Sequence, residues 1–330
     1  MHQDGSVALP PRVRHRYTGD IDEHALCVEG WHMQYDQLSS GRFQGELSDL
    51  WLDDLSLLRD RSNQAMLKSG EAQGDTLTFS LPMRDAGALH CGGHTLHEAQ
   101  LLVARGDNLP ELRTPANLDL LCINLQEAEM ARLLACQHSA LDVRDLSGCY
   151  RLPTGCAHGE LAALAHELFA PEAEIQTWLV HPRARAALRD TVLMHLLDLL
   201  DTSEPHELAP SARLRMVRRA REYALAHPDQ PPSILELCNR VGASRRKLQY
   251  CFQETLGINP VAYLRTLRLN AAHRALRRGE GESVQDVAAQ WGFCHLSRFA
   301  RDYQALFGQL PSATLKEAAQ RLPRRNAESG

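Results

Sequence analysis

Hydrophobic positions divide the chain into three regions of different period. Across residues 21–125, short apolar segments alternate with polar turns: Ala25–Val28, Phe43–Leu50, Trp51–Leu58, Ala65–Lys68, Leu77–Leu81, Thr95–Val103 and Leu118–Leu125. Several alternate with period two. They are punctuated by Ser39-Ser40-Gly41, Lys68-Ser69-Gly70, Gly74-Asp75 and Gly92-Gly93. This pattern predicts an antiparallel β-sandwich or small barrel, whose mouth can hold a small molecule. Residues 126–200 change to helical spacing. Gln126–Gln137 and Glu160–Phe169 predict amphipathic helices, and Pro171–Leu200 predicts a helix or helix pair broken near His181-Pro182. The stripe Leu188, Val192, His195, Leu196, Leu199 fits either an internal core or a dimer face.

The third region, Ser233 to Pro311, carries one pattern twice. Ser233 matches Ser283, Leu237 matches Val287, Cys238 matches Ala288 and Gly242 matches Gly292. With one residue inserted, Leu248 matches Phe299, Phe252 matches Tyr303, Gly257 matches Gly308 and Pro260 matches Pro311. A repeat of about fifty residues indicates a duplicated supersecondary unit. Ser233 followed by Glu236 is a capping box, and Ser283 with Asp286 is a close variant. Ile234, Leu237 and Val241 then recur at helical spacing. Glycine follows where the chain turns at positive φ, and Ser244 caps a second helix. The unit is a helix-turn-helix. Between the copies, Val261 to Arg278 predicts one uninterrupted helix ended by Gly279. At about 1.5 Å per residue it spans roughly 27 Å. A spacer of that length can set two recognition helices about one DNA turn, roughly 34 Å, apart.

Charge sharpens this division. Residues 211–330 hold 20 Lys and Arg against 10 Asp and Glu, a net of +10, whereas the remaining 16 basic and 31 acidic residues net −15. A basic C-terminal part suits nucleic acid, and an acidic N-terminal part must hang away from it. Nine cysteines occur without a C-x-x-C pair, which predicts reduced thiols and a cytoplasmic setting. Residues 1–20 are polar, lack the apolar core of a secretory signal, and predict a flexible arm.

Residues 211–320 resemble the DNA-binding domain of the AraC/XylS transcription regulators. The resemblance rests on the duplicated unit, on Arg265, Arg268, Leu269, Asn270, Ala271 and Ala272 of the linker helix, on Gly292-Phe293, and on the Phe307, Gly308, Pro311, Ser312 ending. Thr314-Leu315 departs from the aromatic-Arg pair usual there, so the last turn is expected to pack differently. The N-terminal half is similar to the sensors of ethanolamine-utilisation operon regulators within that family. The matching stretches are Glu23–Leu26, Trp31, Tyr35–Leu38, Gly41–Glu46 and Leu52–Asp54. This second resemblance implies activation of an ethanolamine catabolic operon, with ethanolamine as effector and adenosylcobalamin as co-effector. RNA polymerase and a second copy of the chain are further implied partners. No D-x-H-x-x-G corrinoid motif is present.

The expected fold class is α+β. A β-sandwich or barrel-like (cupin-like) N-terminal sensor with helices precedes an all-α double helix-turn-helix domain. The expected boundaries are an arm at 1–20, a sensing and dimerisation domain at 21–200 (β-rich to 125), a linker at 201–211, a DNA-binding domain at 212–320 and a tail at 321–330. Within the DNA-binding domain, the units are 233–257, 261–278 and 283–308. Outward-facing Arg245, Arg246, Gln249 and Tyr250 in the first recognition helix are candidates for DNA contact, as are His295, Leu296, Ser297, Arg298 and Arg301 in the second. By family position Arg246, Gln249 and Tyr250 address bases. His90, Cys91, His94, His97 and Glu98 cluster in sequence without the spacing of a metal site. No catalytic motif stands out, and neither an enzyme nor a metal centre is expected.

Overall fold

The computed structural model describes residues 13–83, 87–96, 100–136, 148–153, 157–170, 175–201, 206–281 and 283–321. The period-two segments form two antiparallel sheets. The larger runs β1 (Arg14–Thr18), β3 (Gly45–Leu52), β4 (Leu55–Ser62), β11 (Leu118–Gln126), β6 (Thr76–Pro82), β9 (Gln100–Arg105), β12 (Cys149–Pro153) and β13 (His206–Glu207). The smaller runs β2 (His32–Gln37), β5 (Met66–Glu71), β10 (Leu112–Thr114), β7 (Leu89–Cys91) and β8 (His94–Leu96). Helix α1 (Ile21–Leu26) precedes β2. Among the described residues of the N-terminal half, four more helices follow: α2 (Glu127–Cys136), α3 (Ala157–Leu168), α4 (Ile175–Leu179) and α5 (Pro182–Asp201).

The larger sheet is buried on both faces. One face presents Leu57, Phe79, Leu121 and Ile123 to Leu161, Val192 and Leu196 of the helices. The other presents Leu58, Leu102 and Leu120 to Leu89, Cys91 and Leu112 of the smaller sheet. Two buried faces explain why residues 118–125 read as a nearly continuous apolar run. Among the described strands the two sheets share no hydrogen-bonded ladder, so they stack as a sandwich.

Several sequence expectations are corrected. Residues 14–18 are no arm: β1 pairs with β3, and Arg14 and Arg16 reach Asp49 at 2.6 and 2.5 Å. Residues 1–12 lie outside the described residues. Ala25–Val28 does not form a strand, because the Asp20 side chain accepts from the backbone N–H of Asp22 and Glu23 and starts α1 instead. Trp51–Leu58 is a hairpin that turns at Asp53, with φ 53°. Thr95–Val103 divides between β8 and β9 in opposite sheets. The 201–211 linker is partly built into the sheet, since β13 pairs with β12 and Leu208 is buried. Val192, Leu196 and Leu199 of the α5 stripe lie in the internal core.

The C-terminal half is helical: α6 (Ala212–Ala226), α7 (Ile234–Val241), α8 (Arg245–Leu256), α9 (Pro260–Arg278), α10 (Val284–Gln290), α11 (Leu296–Phe307) and α12 (Pro311–Arg321). Helix α6 precedes the first unit. It buries Met216, Val217 and Ala220 against the first unit. Helix α7 starts with the full capping box of Ser233 and Glu236. Gly242 and Gly292 turn the two units at φ 67° and 71°. Helix α9 belongs to both units. Tyr263, Leu264 and Leu267 pack with α6–α8, whereas Leu269, Ala272 and Leu276 pack with α10 and α11. It is therefore a rod with one end built into each module.

Leu237 is fully buried, whereas Leu235, on the same helix, is 71 % exposed. Leu237→Ala should lower unfolding free energy by about 2–5 kcal/mol. Leu235→Ala should stay within about 0.5 kcal/mol of the natural chain. Urea denaturation of the two variants checks the contrast.

Candidate nucleic-acid interface

The two recognition helices, α8 and α11, use their apolar sides for the core. Leu248 and Phe252 are buried in the first, and Phe299 and Tyr303 in the second. All nine candidate contact residues, Arg245, Arg246, Gln249, Tyr250, His295, Leu296, Ser297, Arg298 and Arg301, are exposed. Lys247 is exposed beside them. Ser244 caps α8 by accepting from the Lys247 N–H. That leaves the N-terminal turn of α8, which carries Arg245 and Arg246, open to solvent. Arg265 of α9 adds to the positive field at the second module. Burial first, then repulsion from Arg298 and Arg301, holds its guanidinium below the ordinary value. Asp302 pairs with Arg265 and keeps it in place. In the sequence Arg265 is marked only by the linker-helix pattern of the family that the chain resembles. Its place beside the α11 arginines is a tertiary result.

The opposite side of this domain is gripped by the smaller sheet. Asn270 Oδ1 accepts from the Gln37 N–H at 2.8 Å, and Asn270 Nδ2 donates to the Gln37 carbonyl at 3.0 Å. Arg274 donates to Asp36 at 2.7 Å. The Gln37 amide donates to the Leu306 carbonyl at 2.6 Å, and the Gly41 N–H donates to the Leu306 carbonyl at 3.0 Å. Gly308, at φ 72°, lies so close that a Cβ there would meet the Arg42 backbone nitrogen at 2.7 Å. The first module is held by β10 and the residue before it. Glu111 accepts from Arg218 at 3.0 Å and pairs with Arg221, and the Arg113 guanidinium lies over Gly257. One sheet therefore contacts both modules, each near the C-terminal end of its recognition helix.

A buried polar chain runs through the same contact. Thr314 accepts from the Tyr303 hydroxyl at 2.8 Å, Tyr303 meets His273 Nδ1 at 2.5 Å, and His273 Nε2–H donates to Asp20 at 2.7 Å. The departure at Thr314 thus has a structural role, because its hydroxyl anchors the chain. Burial alone would raise the Asp20 carboxyl. His273 and Arg277 bring it below its ordinary value. Asp22 behaves oppositely: burial raises it to about 6, although His273 and Arg274 pull it down. Asp20, Asp22 and His273 bring three metal-ligating atoms within 4.8 Å of one another. Arg277 lies 3.3 Å from Asp20 and Arg274 3.9 Å from Asp22, so guanidinium groups already supply the counter-charge.

Between the two sheets lies a cavity of about 60 Å³. Its walls are mainly apolar, with Trp31, Met33, Leu58, Leu102 and Leu120 among them. Asp60 and Lys68 form its buried polar corner, with Tyr35 beside them. Burial would raise the Asp60 carboxyl, but Lys68 and His24 hold it well below the ordinary range. A corrinoid does not fit here, since the macrocycle exceeds the cavity many times over and the one carboxylate is already engaged. A more polar, open cleft of about 560 Å³ lies where Arg151 and Glu207 of the sandwich face Arg213 and Glu254 of the helical domain. His90 and His94 do not converge: His90 bonds Thr95, and His94 bonds the Ala209 carbonyl. His97 and Glu98 lie outside the described residues.

Among the described residues no helix is long and apolar enough to cross a membrane. The described cysteines are free thiols.

A family model described as a helix-turn-helix domain matches residues 237–317. The chain is 33 % identical over 161 residues to a probable thc operon regulatory protein of Rhodococcus erythropolis, covering 46 % of each chain. It is 26 % identical over 138 residues to the XylDLEGF operon transcriptional activator of Pseudomonas putida, covering 41 % of this chain and 43 % of that one. The chain thus spans less than half the length of these curated relatives. A crystal structure of a probable AraC family transcriptional regulator from Rhodopseudomonas palustris CGA009 is 37 % identical, with a TM-score of 0.30. It covers 32 % of this chain and 97 % of that one.

The raised Asp22 carboxyl makes the domain contact pH-dependent. Its protonated form contributes stability that is complete below about pH 4 and lost as pH rises through about 6. Asp22→Asn should match the natural chain at pH 4 and exceed it by about 2–3 kcal/mol at pH 8. Urea titrations at both pH values measure the difference. An equal effect at the two would refute this account of Asp22.

Proposed function

We propose, on the premise that residues 237–317 are a helix-turn-helix domain of the AraC/XylS regulators, that the chain is a small-molecule-controlled, sequence-specific DNA-binding transcriptional activator. The observation that carries this reading is the arrangement of the two halves. Two arginine-bearing recognition helices face solvent, joined by the α9 rod, and their other ends rest on a sheet that lines a cavity.

In this reading α8 and α11 enter two successive major-groove segments. Arg246 pairs with a guanine edge, Gln249 with adenine, and Tyr250 packs on the bases beside them. Arg245, Lys247 and Arg265 neutralise phosphates. Arg298 and Arg301 share one face of α11 and act together, with His295, Leu296 and Ser297 flanking them. The cupin-like sandwich is the sensor, and its acidic surface keeps it off the duplex. RNA polymerase and a second copy of the chain are the expected protein partners, and the cytoplasm is the expected setting.

A second reading concerns the effector. Resemblance of the N-terminal half to ethanolamine-operon sensors favours ethanolamine, with adenosylcobalamin as co-effector. The sandwich cavity offers no corrinoid site, so no step is assigned to that cofactor.

Arg246→Ala should weaken operator binding by about 1–3 kcal/mol and relax specificity at one base step. Footprinting across an operator series reads both effects, and an unchanged sequence preference removes Arg246 from base recognition. Thermal-shift titration with ethanolamine, adenosylcobalamin and both tests the effector. A ligand at 100 times its Kd should stabilise the chain by about 2.7 kcal/mol. No shift would exclude this effector pair.

A further inference from the structure

The sandwich cavity has a chemistry that selects its ligand. Asp60 Oδ1 accepts from His24 Nε2 at 3.0 Å, and Asp60 Oδ2 accepts from Lys68. The carboxylate is therefore engaged at both oxygens. Lys68 is different. Its ammonium carries three N–H donors, and Asp60 is its one hydrogen-bond partner among the described residues. It also stands 4.8 Å from the centre of the Tyr35 ring. The Tyr35 hydroxyl has no hydrogen-bond partner among the described residues, although the side chain is buried. Thr78 is tied to Asn124, and Ser80 contacts the Cys122 thiol. The polar corner thus offers unengaged donors.

Charge narrows the choice further. The corner holds one carboxylate and one ammonium, with side chains only 4 % and 6 % exposed. They balance each other. A charged ligand would add an unpaired charge in a place where charges are costly. A neutral acceptor oxygen takes the free N–H and O–H groups without that penalty. Size is the third limit. Its enclosed part, about 60 Å³, is less than half of the roughly 150 Å³ apolar cavity that accommodates benzene, and it lies within a partly open recess of about 600 Å³, which limits the ligand to a few heavy atoms at the polar corner.

We propose that this cavity binds a small, neutral, largely apolar molecule bearing one acceptor oxygen, of the short-chain carboxamide or ketone class, through Lys68 and Tyr35. The proposal rests on the reading of the sandwich as the effector-binding domain; it departs from ethanolamine, a cation at pH 7, and names a neutral ligand class for this cavity. The acceptor oxygen takes hydrogen bonds from the Lys68 ammonium and the Tyr35 hydroxyl, and the alkyl part lies against Leu58, Leu102 and Leu120.

The test is a ligand-observed NMR titration of the full chain at pH 7 with propionamide, propionate and propylamine, which share a size and differ in charge. Propionamide should bind about tenfold or more tighter than either charged molecule. Lys68→Met strands the Asp60 charge and is expected to unfold the sandwich, so Tyr35→Phe is the reporting variant. It should keep the circular dichroism of the natural chain and weaken propionamide by about threefold to tenfold. Equal or tighter binding of propionate or propylamine overturns the ligand class but leaves the cavity as an effector site. Undiminished propionamide affinity in Tyr35→Phe also overturns the proposal. Saturable binding by none of the three removes both the ligand class and the effector reading for this cavity.

Discussion

The structure depends on one strand ladder that is buried on both faces. Strands β2 and β5 pair with Tyr35 opposite Lys68 and Asp36 opposite Leu67. Successive side chains on a strand point to opposite faces. Tyr35 and Lys68 therefore look into the cavity, while Leu67 packs into the core of the first helix-turn-helix and Asp36 holds Arg274. Strand β10 repeats the arrangement: Leu112 lines the cavity, and Arg113 lies over the end of α8. The wall between the cavity and the helical domain is a single sheet thick.

This geometry gives a direct physical route between the two halves. A change in the spacing of β2, β5 and β10 on the cavity side must be met on the other side by Asp36, Gln37, Glu111 and Arg113. Those residues hold α9, α6 and the ends of both recognition helices. Since α9 is built into both modules, their separation is set by a rigid rod and by the sheet beneath it. Close-packed contacts of this kind shift between discrete arrangements instead of deforming smoothly.

The contact between halves is also unusually polar. Asp20, Asp22, Asp36 and Glu111 of the acidic half meet His273, Arg274, Arg277, Arg218 and Arg221 of the basic half. The opposite net charges of the two halves therefore also hold them to one another. The polar chain from Asp20 to Thr314 is buried, and its members leave few hydrogen-bonding groups unmet. A satisfied buried network favours one defined arrangement of the domains.

The double helix-turn-helix was legible in the sequence because its signals are local. Caps, glycine turns and helical periodicity act within a few residues, and Ser233, Glu236, Gly242, Leu237 and Phe252 stand where the repeat places them. Exposure of the arginines on α8 and α11 followed from the same periodicity. Strand-rich character was legible too, but sheet membership was not. Which strand pairs with which depends on contacts distant in sequence, so Thr95–Val103 gave no sign that it divides between two sheets. Residues 14–18 read as an arm because their partners, Ser48 and Asp49, lie far along the chain. Asn270 and His273 are polar residues on the buried side of an amphipathic helix, a signal that they must meet something polar. Only the tertiary structure decided that they meet Gln37 and Asp20, and that one sheet separates the cavity from the DNA-binding domain, because a strand's two faces acquire meaning only when layers are stacked on both.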